Sequence, residues 1–242
     1  MKTLKGLTKS GLKPNKCTDA IRIVIICGTV LSAALHMAVI REPNWWHFDY
    51  GYWVQDTTGV TRLNGGLFQV CQYQRSPITT GWTCAGIGEG PEGLLDTRDG
   101  LHPESNLLPL WRGFTVGALL PGLPVIILLA FAFRTRFRLI LTKIAFGCLL
   151  AQSLLMVGGV GAAHEYIVRA SCKDCDWREL YTYMWCFYAG CALIGAYMVL
   201  ALVAMASFFL DRSDIKRNRE DEYSINDATS DRTQTDMAQA DV

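Results

Sequence analysis

Four long stretches almost without charged side chains are the feature that most constrains how this chain can fold. They cover residues 21–40, 114–133, 139–163 and 183–210. Each exceeds the roughly 18 apolar residues that cross the hydrocarbon core of a bilayer as a helix. Charged residues make up 19% of the chain, below the about 25% of soluble domains. We therefore predict four membrane spans, which excludes a soluble enzyme with one large core and a secreted disulfide scaffold.

Several residues within these spans carry expectations of their own. Arg22 stands at the start of the first span, where its long side chain should snorkel to the lipid headgroups. His36 lies deep in the same span, and we expect it to be neutral and bonded to a neighbouring helix. Pro121 and Pro124 should interrupt the second span, because proline in a membrane helix frees backbone carbonyl groups and bends the helix.

The distribution of lysine and arginine predicts the orientation in the membrane. Five lysines precede the first span, three arginines separate the second from the third, and four basic residues lie within the ten residues after the fourth. The positive-inside rule then places both termini in the cytoplasm and the loops 41–113 and 164–182 outside. The basic segment 1–20 should be attracted to anionic membrane lipids. The polar tail 211–242 should be disordered, and a net charge of +1 indicates no nucleic-acid partner.

The first loop, 41–113, is too long and too aromatic to be a simple connector. Residues 52–55 and 67–73 have the composition of strands and are separated by turn-forming residues. We therefore predict a small antiparallel sheet that rests on a four-helix bundle.

Four of the nine cysteines lie in the two loops on the oxidising side, where disulfides persist. They are Cys71, Cys84, Cys172 and Cys175. Four cysteines allow three pairings, and the simplest pairing joins Cys71 to Cys84 within the sheet. It also joins Cys172 to Cys175 within the second loop, where a structural disulfide is favoured over a redox motif because no βαβ context surrounds the pair.

A motif in the first loop resembles the signature of a known family. The segment GLFQVC at residues 66–71, followed by a second cysteine, is similar to the G-L-W-x-x-C…C pattern of the claudin superfamily. That superfamily includes claudins, peripheral myelin proteins, calcium-channel gamma subunits, AMPA-receptor regulatory proteins and the lipoma HMGIC fusion partner-like tetraspans. A tryptophan soon after the first span and an arginine just before the second match the family pattern as well. The matching residues are Trp45, Gly66, Leu67, Phe68, Cys71, Cys84 and Arg112.

The resemblance implies a claudin-like fold, a four-transmembrane-helix bundle with an extracellular antiparallel β-sheet. It implies a location at cell–cell junctions of the plasma membrane, and contacts with itself or related tetraspans in cis and in trans. The leading hypothesis is a contribution to intercellular contact and to a paracellular barrier through the first loop. The alternative is an auxiliary subunit that controls the trafficking or gating of a channel or receptor. We expect no enzymatic activity, metal or cofactor, because no nucleophile–base set, phosphate loop or metal-ligand pattern is present.

Two further segments carry functional predictions. An acidic stretch in the first loop would favour cations in a pore or meet a basic partner surface, unless it serves solubility alone. Its acidic residues are Glu89, Glu92, Asp96, Asp99 and Glu104. The chain ends in Ala240, Asp241 and Val242, and a terminal valine with its free carboxylate can bind a PDZ scaffold as an added strand.

Overall fold

The computed structural model describes six stretches of the chain, and every structural statement here concerns those residues. They are 16–49, 60–75, 80–86, 107–133, 137–170 and 181–240. The elements in chain order are α1 (Lys16–Arg41), β1 (Trp46–Asp49), β2 (Val60–Gly65), β3 (Gln69–Arg75), β4 (Thr80–Gly86), α2 (Leu107–Gly117), α3 (Gly122–Ala132), α4 (Arg138–Ala170), β5 (Tyr181–Tyr183) and α5 (Trp185–Ala240).

Four helical segments are long and apolar enough to cross a membrane. They are Cys17–Arg41, Leu107–Ala132, Arg138–Val168 and Trp185–Arg217. Many of their outward side chains are apolar and exposed, as expected for helices that face lipid rather than water. Each of the four predicted spans therefore corresponds to a helical segment that could cross a membrane, as in a multi-pass membrane protein. Each helix is longer than predicted, because the sequence prediction counted apolar residues and the helices extend beyond them.

The second span is interrupted at Pro121, as predicted, whereas Pro124 lies within α3 and does not interrupt it. Between α2 and α3, the amide of Gly122 donates to the carbonyl of Leu119 at 3.1 Å instead of continuing the α-helical ladder to Ala118. The carbonyl oxygen of Ala118 is therefore freed inside the bundle. The side-chain amide of Gln152, on α4, donates to that oxygen at 3.0 Å. A side chain on a neighbouring helix thus supplies the hydrogen bond that the carbonyl of Ala118 loses at the break.

The small antiparallel sheet has five strands in the order β4-β3-β2-β1-β5. The predicted strand at 67–73 corresponds to β3, whereas the predicted strand at 52–55 lies outside the described residues. The fifth strand comes from the second loop and was not predicted. It pairs antiparallel with β1, so both loops contribute to one sheet.

The last helix differs from the prediction for the tail. A disordered segment was expected over 211–242, but α5 continues without interruption from the fourth span to Ala240. The extension contains neither glycine nor proline, and lengthening an existing helix avoids the unfavourable nucleation step. Lys216 and Glu220 also form an i,i+4 ion pair at 3.7 Å, which adds a small local stabilisation.

Candidate functional site

A buried tryptophan pair fastens the sheet to the helical bundle. Trp45 follows α1, is fully buried, and donates from its indole nitrogen to the carbonyl of Val39 at 2.9 Å. Its ring meets the ring of Trp111 edge to face, with centroids 5.0 Å apart, and Trp111 in turn contacts Tyr166 at 5.7 Å. These rings belong to one hydrophobic core that also includes Val70 of the sheet.

Backbone hydrogen bonds tie the same segment to the rest of the sheet and to the last helix. The amide of Trp45 donates to the carbonyl of Gly65 at 2.9 Å, and its carbonyl accepts from Met184 at 3.0 Å. The amide of Cys186 donates to the carbonyl of Asn44 at 3.1 Å. The short link between α1 and β1 is therefore held from both sides, by β2 and by the beginning of α5.

Two consecutive glycines permit the close approach between the turn and the end of α1. A Cβ atom on Gly66 would lie 2.6 Å from the carbonyl oxygen of Glu42 and from Cα of Pro43, both of which are backbone atoms. A Cβ atom on Gly65 would overlap the indole ring of Trp46. The close packing of the turn against the end of α1 therefore requires a glycine at position 66.

Arg112 holds the turn that follows these glycines. Its Nε donates to the carbonyl oxygen of Leu67 at 2.9 Å. Its guanidinium lies 5.1 Å from the centroid of the Phe68 ring, a cation–π distance. Leu67 is fully buried and Phe68 is 41% exposed. The structure thus brings together Arg112, the motif residues and Trp45, which lie far apart in the chain.

The outer face of the sheet carries the disulfide and an exposed aromatic pair. Cys71 and Cys84 are opposite each other on β3 and β4 and are joined by a disulfide, which confirms that predicted pairing. Side chains alternate along a strand, and Val70 packs into the bundle, so Tyr73 shares the outer face with Cys71. Tyr73 lies opposite Trp82, with ring centroids 5.4 Å apart, and Trp82 is 48% exposed. We call Tyr73 and Trp82 the aromatic pair.

His36 and His164 each lie within hydrogen-bond distance of a tyrosine hydroxyl, at two different depths in the bundle. Nδ1 of the buried His36 lies 3.0 Å from the hydroxyl oxygen of Tyr197 on α5, as expected for a histidine bonded to a neighbouring helix. Closer to the sheet, Nδ1 of His164 lies 2.6 Å from the hydroxyl oxygen of Tyr183. Burial, with a smaller contribution from Tyr188, raises the pKa of Tyr183.

A cluster of four charged side chains lies at the end of the bundle opposite the sheet. Arg22 donates from Nη1 to Oδ1 of Asp19 at 2.7 Å and from Nη2 to Asp211. Nε of Arg138 lies 3.8 Å from Oδ1 of Asp211. The side chains of Arg22 and Asp211 are 1% and 0% exposed. The prediction that Arg22 snorkels to the headgroups is therefore wrong, because a carboxylate from α5 pairs with it inside the bundle. We call these four residues the charge cluster.

Several predicted site residues lie outside the described part of the chain. Among the described residues, no group of three or more histidine, cysteine or acidic side chains could hold a metal ion. Ala240 ends α5. The residues outside are Cys172, Cys175, Glu89, Glu92, Asp96, Asp99, Glu104, Asp241 and Val242.

No family model matches the sequence, and no curated protein matches it. A functional assignment therefore depends on the residues of this chain and on the geometry that they adopt. Sequence reasoning singled out Trp45 and Arg22 but not their partners Trp111 and Asp211. Trp111 and Asp211 stand at the ends of apolar stretches, where nothing in the local pattern distinguishes them from ordinary boundary residues.

Proposed function

We propose that this chain is a claudin-like tetraspan of cell–cell junctions in the plasma membrane, with both termini in the cytoplasm. Its sheet would contact the same or a related protein on the neighbouring cell and contribute to a paracellular barrier. The observation that supports this best is that the two faces of the sheet have different surroundings. One face packs into the bundle through Val70, and the other presents the aromatic pair.

A contact across the gap between two membranes needs a surface that is already ordered. Binding by a mobile loop loses affinity to the ordering of the loop, whereas a preorganised surface avoids that loss. The tryptophan pair, Arg112 and the Cys71–Cys84 disulfide all restrain the sheet. Exposed tryptophan and tyrosine are also the side chains that most often dominate protein interfaces.

The resemblance of the motif supports the same proposal, because its residues act together. Trp45, Gly66, Leu67 and Arg112 meet at the junction of sheet and bundle. Phe68, at the position of the family tryptophan, remains exposed beside the guanidinium.

The alternative, an auxiliary subunit of a channel or receptor, is supported by open glycines on the helices. A Cβ atom on Gly147, Gly161 or Gly195 would meet nothing within 4 Å. Such positions let the helix of another protein approach closely within the membrane. Partner binding through these helix faces would leave the sheet free for a different role.

Mixed cultures of junction-poor cells separate the two proposals. We would compare contacts between two expressing cells with contacts between an expressing and a non-expressing cell. Enrichment of the tagged protein only where both cells express it is the expected result. Trp82→Ala should abolish the enrichment, whereas Trp185→Ala, at a tryptophan that is 43% exposed but lies outside the sheet, should retain it. An even surface distribution of the unaltered protein would contradict the junction proposal and favour the auxiliary subunit.

The barrier part of the proposal has its own test. The five acidic residues between 89 and 104 would favour cations in a paracellular path, because negative charge raises the local cation concentration. Replacing them by their amides should shift the dilution potential across an epithelial layer toward lower cation preference. Unchanged dilution potentials, in a layer where this protein forms the barrier, would remove the pore from the proposal.

A further inference from the structure

A pocket of about 550 Å³ lies on α5 where the fourth apolar span gives way to the polar extension. It is at the end of the bundle opposite the sheet, in the turns around Asp211 of the charge cluster. Its position is therefore unrelated to the surface proposed for intercellular contact. The described residues that line it are Phe209, Arg212, Ser213, Ile215 and Lys216.

The charge cluster fixes which side of α5 points into the bundle and which side is exposed. Asp211 is fully buried and paired with Arg22 on α1, so its side of the helix points into the bundle. Arg212 and Lys216 are four residues apart and share one exposed face of the helix. Asp214 lies two residues from each of these cations and therefore on a different face. The acidic residue nearest in sequence, Asp211, is neutralised by its own partners and does not cancel the charge of the pocket.

The pocket changes from apolar to basic along the axis of the helix. Phe209 is exposed and belongs to the apolar span, and the two cations follow over the next two turns. The hydroxyl of Ser213 donates to the carbonyl of Leu210 at 2.8 Å, so its proton is used within the helix. The charged groups available to a ligand are then the two cations. Lys216 shares an exposed ion pair with Glu220, and exposed pairs of this kind exchange readily because they contribute little.

This order of chemistry matches a phospholipid in the leaflet at that end of the bundle. Acyl chains would contact Phe209, and the headgroup would lie beside the two cations. Arginine and lysine next to a membrane surface attract anionic lipids, whereas phosphatidylcholine, whose ammonium group balances its phosphate, carries no net charge and is attracted less. We propose that this pocket binds the headgroup of an anionic phospholipid, with its phosphate groups on Arg212 and Lys216. The proposal does not depend on the proposed junctional function.

Native mass spectrometry of the purified full-length chain in detergent tests the site. The probes are phosphatidylinositol 4,5-bisphosphate and phosphatidylcholine, each titrated against the unaltered protein and two variants. The double variant Arg212→Gln/Lys216→Gln should weaken binding of the anionic lipid about 30-fold, because each basic residue near the surface contributes about a factor of five. Arg217→Gln is the matched control, since Arg217 is exposed in the same turn but does not line the pocket, and it should change binding less than about threefold.

Three results would overturn the proposal. One is an Arg217→Gln effect as large as that of the double variant, which would indicate diffuse attraction. Another is equal binding of phosphatidylcholine. The third is equal binding of inositol 1,4,5-trisphosphate, which carries the phosphate groups without acyl chains and would identify a soluble anion as the ligand. All replaced side chains are exposed, and unchanged thermal unfolding of each variant would show that the effect is local.

Discussion

The buried pair of Arg22 and Asp211 makes a quantitative prediction about stability. The pair joins α1 to α5 across 189 positions of sequence. Asp211→Asn preserves the size of the side chain but removes its charge. Two guanidinium groups, those of Arg22 and Arg138, then lose the carboxylate that lies between them.

The structure sets the size of the expected loss. Removing one partner of a buried ion pair destabilises a protein by about 3–5 kcal/mol, because the remaining charge stays buried without compensation. Arg22 retains a second carboxylate, that of the partly exposed Asp19 at 2.7 Å, which favours the lower end of that range. We therefore expect Asp211→Asn to lower the free energy of unfolding by about 3 kcal/mol, or about 150-fold in the folding equilibrium.

Unfolding of the purified protein by SDS in mixed micelles measures this difference. Glu220→Gln is the control, because it makes the same chemical change in an exposed ion pair and should alter stability by less than about 0.5 kcal/mol. The double variant Arg22→Met/Asp211→Asn should recover part of the loss, since it removes the fully buried guanidinium of Arg22 and leaves only Arg138, whose side chain is 11% exposed, without the carboxylate. A loss for Asp211→Asn no larger than that for Glu220→Gln would refute a buried pair and return Arg22 to the lipid headgroups.

Three further changes should affect stability or delivery to the surface. Cys71→Ser should destabilise the sheet by about 3 kcal/mol and retain the protein in the secretory pathway, whereas normal surface biotinylation would contradict this. Gly65→Ala should lower the thermal unfolding temperature, because the added Cβ would overlap a tryptophan ring. Gly81→Ala is the control and should leave that temperature unchanged, since a Cβ there would meet nothing within 4 Å. Equal unfolding temperatures for the two variants would refute the packing argument. Gln152→Leu should cost about 1–3 kcal/mol in the SDS assay, because it leaves the freed carbonyl of Ala118 without this donor; a loss under about 0.5 kcal/mol would mean that another donor replaces it.

Features that depend on local composition could be predicted from the sequence. Four apolar stretches are enough to identify four spanning helices, and Pro121 is enough to locate the break between α2 and α3. The pairing of Cys71 with Cys84 could also be predicted, because few cysteines stand in the loops. Gly66 and Arg112 of the motif were identified by resemblance, and the structure supplies their physical role at the turn.

Features that depend on distant partners could not be predicted. Asp211 follows the last apolar residue of its span, and nothing near it indicates that it enters the bundle to meet Arg22. The strand β5 consists of tyrosine and threonine, which favour strands, but its three residues are too few to show the alternation that identifies a strand. In the sequence, Gln152 looks like any polar residue in a helix. Its role becomes visible only in the structure, where it donates to the carbonyl that the break between α2 and α3 leaves free.

The central claim is that the sheet contacts another copy of this protein across the gap between two membranes. A vesicle-tethering assay tests this claim in the absence of other junction components. Purified protein would be reconstituted into two populations of phosphatidylcholine vesicles that carry donor and acceptor dyes. We expect energy transfer between the populations only when both carry the protein, and we expect Trp82→Ala to abolish it while Trp185→Ala does not. Energy transfer that is absent with the unaltered protein, or present when one population is empty, would contradict homotypic contact through the sheet.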